Sequence, residues 1–85
     1  MSEAAHNAGV ERDLIAMVAD LFSQGRTPAQ DERDAAAKRL RSLLFGNKQL
    51  NPAERMGIEG RVWRHFRNGS PERDYLNEIG FLSWN

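Results

Sequence analysis

The chain contains no cysteine. That excludes a disulfide framework, thiolate zinc ligands and a thiol nucleophile, so its 85 residues must be held together by packing alone. At this length roughly 60% of the unfolded chain's surface can be buried, enough for one modest core. Long apolar runs are missing too. No segment approaches the ~20 apolar residues of a membrane-spanning helix, and the opening MSEAAHNAGVERD has neither a basic start nor an apolar run. The expectation is a cytoplasmic protein without membrane contact. Histidine is sparse: His6 and His65 stand far apart, each without a second ligand nearby in sequence. No His-x-x-x-His pair, glycine-rich phosphate loop or serine elbow occurs. The sequence therefore predicts no catalytic residue, no metal and no cofactor, and a role outside enzymology.

Net charge is also absent, but the zero conceals a pattern. From Met1 to Ala37 seven acids oppose three bases, a net of −4. From Lys38 to Arg67 eight bases oppose only Glu54 and Glu59, a net of +6, and beyond Asn68 three acids oppose Arg73, a net of −2. Such asymmetry points to a charged partner. The plainer explanation is that acids gather at helix starts and bases at helix ends, as the helix dipole favours.

The chain reads as all-α, a small four-helix domain over residues 10–85 preceded by a mobile arm over 1–9, where large apolar groups are few. Val10, Leu14, Ile15, Met17, Val18, Leu21 and Phe22 recur at helical spacing, which predicts a helix from about Val10 to Gln24, ended by Gly25. Thr27, Pro28 and Gln30 then read as cap, first helical residue and capping-box partner of a second helix. Asp34 is placed to pair with Lys38 one turn on, and Ala36, Leu40, Leu43 and Leu44 form the apolar line. Gly46 and Asn47 stop that helix, with Phe45 tucked beneath the turn.

The most informative stretch is Asn51 to Gly69, NPAERMGIEGRVWRHFRNG. Asn51 caps, Pro52 opens the helix and Glu54 completes the box. Met56, Val62, Trp63 and Phe66 share a predicted face flanked by Arg55, Arg61, Arg64 and Arg67. Gly57 and Gly60 each cost about 1 kcal/mol against alanine in a helix interior, so they call for either a break or close approach of another backbone. A break resembles a helix-turn-helix: counted from Gln49, Ala53 is fifth, Gly57 ninth, Ile58 tenth and Trp63 fifteenth. The recognition helix would then span 59–67 and offer Arg61, Arg64, His65 and Arg67 to DNA. Pro52 leaves little chain for a separate first helix, however, and Trp63 stands where a branched aliphatic residue is usual. The favoured expectation is one straight helix.

Ser70 and Pro71 open a last helix with Glu72 and Asp74 in its first turn and Tyr75, Leu76, Ile79 and Leu82 as its apolar side. Gly80 ends it and leaves the apolar terminus Phe81-Leu82-Ser83-Trp84 to fold over the core or to meet a partner. The function expected is that of a small protein-binding regulator or adaptor. Its partner-binding residues would be Arg55, Arg61, Trp63, Arg64, Arg67, Phe81 and Trp84, and the partner an acidic protein surface or a second copy. Helix-turn-helix binding of nucleic acid is the alternative.

Overall fold

The computed structural model describes residues 3–46 and 50–84, with side chains from Ala8 onward. Helix α1 spans Glu3–Leu21, α2 Gln30–Phe45, α3 Pro52–His65 and α4 Pro71–Glu78, and a short 3₁₀ turn follows over Phe81–Ser83. No strand occurs among the described residues. The all-α, four-helix expectation holds. Helix α1 packs against both α2 and α3, and the 3₁₀ turn closes over α3 and α4.

Helical backbone begins at Glu3, inside the stretch expected as an arm, yet Val10 is the first buried side chain described. Packing thus starts where the apolar pattern does. Val10, Leu14 and Val18 are buried one turn apart, and Ile15, Met17, Leu21 and Phe22 pack around them. The helix ends at Leu21, earlier than Gln24, because the Phe22 and Ser23 amides turn tightly back to the Ala19 and Asp20 carbonyls at 3.2 Å. Gly25 then takes φ 70°, the left-handed conformation expected of it.

Helix α2 corrects the sequence reading at its start. Ala29, not Thr27, is the cap, and Pro28 is buried ahead of the helix instead of opening it. Alanine has no side-chain acceptor, so the first-turn amides are met by acids within the helix: the Glu32 carboxylate accepts the Ala29 amide at 3.2 Å and Arg26 at 3.0 Å, and Asp31 Oδ1 accepts the Glu32 amide at 3.0 Å. The Arg26 hydrogen bond, then the Ala29 amide, hold the Glu32 carboxyl below its ordinary range. Asp34 accepts from Gln30 at 2.9 Å rather than pairing with Lys38. Leu40 and Leu44 are buried as expected, with Ala36 and Leu43 half-buried beside them. Phe45 does not tuck under the turn: it is 39% exposed, beneath the Arg55 guanidinium at 5.0 Å. Gly46 caps the end through its amide to the Ser42 carbonyl at 2.9 Å. Asn47, expected to share that stop, lies outside the described residues, as does Gln49.

Helix α3 follows its signals closely. The Asn51 side chain accepts the Glu54 amide at 2.8 Å, and Glu54 returns the contact to the Asn51 amide at 2.9 Å. From Pro52 the helix runs unbroken through Gly57 and Gly60 to His65. The turn that a helix-turn-helix requires at Gly57 is absent. Ile58, Val62 and Phe66 form the buried stripe, while Met56, expected on it, is 62% exposed.

Helix α4 starts on Ser70, whose Oγ accepts the Arg73 amide at 3.2 Å. Tyr75 is fully buried and ties this helix to α2. Its Oη donates to the Arg33 carbonyl of α2 at 2.7 Å, and its ring meets the Phe22 edge at 5.7 Å. Gly80, at φ 68°, ends this segment and turns Phe81 into the core; Leu82 points out, 48% exposed, contrary to its expected place on the apolar side.

Two consequences can be measured. Asn51→Ala removes one half of a reciprocal cap and should lower stability by about 1 kcal/mol in urea denaturation. Burial pushes the Tyr75 phenol up from 10.0 to about 12, and the Arg33 charge only partly offsets this. The unfolded phenol ionises first, so stability is full below pH 10 and falls as pH rises from there through about 12. Absorbance titration of this single tyrosine should show the late ionisation, and Tyr75→Phe should remove its share of the alkaline loss.

Candidate functional site

With Ile58, Val62 and Phe66 buried, helical geometry dictates what the opposite side of α3 carries. Ala53, Gly57, Gly60 and Arg64 follow one another at four-, three- and four-residue spacing along the outward face, with Met56 and Arg61 on its flanks. Ala53, Met56, Arg61 and Arg64 are exposed. Neither reason anticipated for the glycines operates within the chain. The helix does not break, and the atoms nearest to a Cβ placed at Gly57 or Gly60 are guanidinium nitrogens of the same helix, Arg61 Nη1 at 3.1 Å and Arg64 Nη1 at 3.2 Å. The two arginines lie back across the glycines over an otherwise outward surface.

The expected partner-binding residues divide sharply. Phe81 is fully buried and offers no surface, because Gly80 turns it inward against Trp84, ring centroids 5.1 Å apart. Trp84 is half-buried over the core, its Nε1 donating to the Ile79 carbonyl at 2.9 Å and its ring stacked under Arg41 at 4.7 Å. Trp63 is engaged in the α3–α4 seam: Nε1 donates to Asn77 Oδ1 at 2.9 Å, and the Arg73 guanidinium covers the ring at 3.4 Å. Arg55 donates to the Leu50 carbonyl at 2.9 Å and lies over Phe45. Arg61 is exposed and paired with Glu11 of α1. Arg64 and Arg67 are exposed, and no ion pair engages them among the described residues. The aromatic members thus serve the fold, and the outward surface retains Arg61, Arg64 and Arg67.

The helix dipole accounts for part of the charge pattern. Asp31 and Glu32, Glu54, and Glu72 with Asp74 stand in first turns, and Arg64 and His65 in the last turn of α3. It does not account for Lys38, Arg39 and Arg41, which lie ahead of the last turn of α2, nor for Arg61 within α3. His65 is exposed with its ring edge on Phe66 at 5.0 Å. Among the described residues no three His, Cys, Asp or Glu side chains cluster as metal ligands, and no helix is long and apolar enough to cross a membrane.

Sequence reasoning missed three residues of this region. Glu59 is buried beside Ile58 at 2% exposure, although its place three residues before Val62 puts it near the buried stripe. Arg73 and Asn77 cover and anchor Trp63 from α4, a contact between helices that no local spacing announces. Comparison with protein-family models, curated proteins and solved structures finds no match.

Alanine at an outward glycine needs only a flexible arginine tip to shift. Gly60→Ala should therefore stabilise the isolated protein by about 0.5–1 kcal/mol. Gly57→Ala should gain somewhat less because Arg61 is tied to Glu11. Thermal melts compared with the parent chain test both.

Proposed function

We propose that this protein is a small non-enzymatic regulator or adaptor that binds another protein through the outward face of α3. One observation carries the reading: two helix-weakening glycines sit in mid-helix on the outward face of α3, half-buried beneath arginines of the same helix, where the chain's own folding makes no use of them. A partner makes use of them, because once the flexible Arg61 and Arg64 side chains swing off the glycines onto its acidic groups a second backbone can approach closely. Met56, 62% exposed at the edge of this strip, supplies an adaptable apolar contact. Arg61, Arg64 and Arg67 supply charge for acidic groups, Arg in particular through paired hydrogen bonds to carboxylates. Such a partner carries an acidic, close-packing surface. The aromatic C-terminus contributes by holding α3 in position.

A photoreactive amino acid in place of Met56, expressed in the cells of origin, should give a discrete protein adduct. Gly60→Leu and Arg64→Glu should abolish it without lowering the melting temperature. The same probe at exposed Asp13 of α1 should give no such adduct. Equal adducts from both positions, or an adduct indifferent to Gly60→Leu, would overturn the reading. Retardation of mixed duplex DNA at ~50 mM salt, weakening steeply as salt rises, would instead assign the α3 cations to phosphate.

A further inference from the structure

The charges of α2 form a second arrangement, independent of α3. Asp31, Ala35, Lys38, Arg39 and Ser42 are all exposed on one side of this helix, and Glu32 lies at its margin. Asp31 and Lys38 are seven residues apart, as are Glu32 and Arg39. Seven residues is close to two turns, so each pair lies on one flank of Ala35, Asp31 and Lys38 on one side and Glu32 and Arg39 on the other. Each flank is therefore acidic on its N-terminal half and basic on its C-terminal half. The bases are not dipole partners, since the last turn of α2 holds none.

We propose that two copies of this chain associate through α2, packed antiparallel across a two-fold axis at Ala35. The axis sets each Ala35 against its counterpart, and the small side chain permits close approach. Reversing the second helix brings the acidic half of each flank over the basic half of the other copy, so Asp31 meets Lys38 of the second copy, while Arg39 reaches a Glu32 carboxylate that Arg26 and the Ala29 amide already hold, which leaves the Asp31–Lys38 flank as the stronger contact. Each contact occurs twice, as an isologous interface requires. A parallel arrangement would oppose like charges along both flanks. On the Glu32–Arg39 flank the surface is hollow and partly apolar. Two adjoining depressions of about 340 and 450 Å³ share Met17 and Arg39, and half-buried Leu21, Ala36 and Leu43 line their walls. A second α2 lying across them covers apolar surface that the folded chain leaves open.

The test is a charge exchange read by sedimentation equilibrium from about 10 to about 500 μM, against twice the 9.7 kDa chain mass. The parent chain should reach the dimer mass within that range and shift toward monomer as salt rises. Asp31→Lys and Lys38→Glu should each weaken association about tenfold or more, since each opposes like charges twice. An equimolar mixture of these two variants should dimerise like the parent, because in the mixed pair every basic residue again meets an acidic one. Ala35→Glu sets two carboxylates against each other at the axis and should give a monomer, and as an exposed substitution by a good helix former it should leave the melting curve intact. A parent chain that stays monomeric overturns the proposal. So does a dimer indifferent to Ala35→Glu, or a mixture no tighter than its separate components. Gly60→Leu, which tests the α3 face, should leave this dimer unchanged.

Discussion

The packing of Ile58, Val62 and Phe66 against the interior decides what every other side of α3 can do. These side chains are spaced one turn apart on a helix whose start is fixed by the reciprocal Asn51–Glu54 cap. Once that stripe is buried, rotation about the helix axis is no longer free. Ala53, Gly57, Gly60 and Arg64 must face outward, and Trp63 must lie at the α4 seam. A bend at Gly57 would have uncoupled the two halves of the helix and let Arg61 to Arg67 turn independently. The unbroken helix ties the position of those arginines to the core, which is why the outward surface is a property of the fold.

The arginines fall into two groups by what lies beneath them. Arg33, Arg41, Arg55 and Arg73 lie over Tyr75, Trp84, Phe45 and Trp63, at 3.4 to 5.7 Å from the ring centroids. A pair of this kind contributes about 0.5–1 kcal/mol at an exposed site, which matters in a chain of 85 residues with no cross-link. Over Phe45, Trp63 and Trp84 these cations cover aromatic surface that too small a core leaves open, and Arg33 lies over the buried Tyr75. Arg61 and Arg64 instead lie over Gly57 and Gly60, where there is no ring to stack on and no apolar surface to shield. The same residue type thus covers an aromatic ring in one setting and a bare stretch of helix backbone in the other, and the residue beneath it makes the difference.

Much of this architecture was legible before the structure. Local signals with a direct physical cause held: the Asn51 and Ser70 caps, the Gly25 and Gly80 turns, and the α1 stripe from Val10 to Phe22. Thr27 failed as a cap because burial of Pro28 and the reach of Glu32 back to Ala29 moved the start of α2, a competition between two plausible signals that tertiary packing resolves. Met56 and Leu82 were misplaced for a related reason: hydrophobicity alone put them on faces that the helix phase turns outward. Folding of the Phe81–Trp84 terminus over the core was one of two expectations, but the partners of Trp63 and Trp84 were not legible. Trp63, an indole between arginines in sequence, looks like an interface anchor, and only the arrival of Arg73 and Asn77 from α4 engages it within the fold, as Arg41 of α2 does Trp84.

Folding also gives the charge asymmetry a different meaning. In sequence, the acidic stretch from Met1 to Ala37 faces a basic middle as though one region were meant for the other, and among the described residues the pairing of Arg61 with Glu11 joins the two. Inside α2, however, the change of sign occurs within a single helix, between Asp34 and Lys38. An isolated helix with acids at its start and bases toward its end is favoured by its own dipole only within its terminal turns. Bases placed ahead of the last turn gain little from it. Lys38 and Arg39 stand instead on an exposed face around Ala35, and it is there that the proposed antiparallel pairing would set bases of one copy against acids of the other.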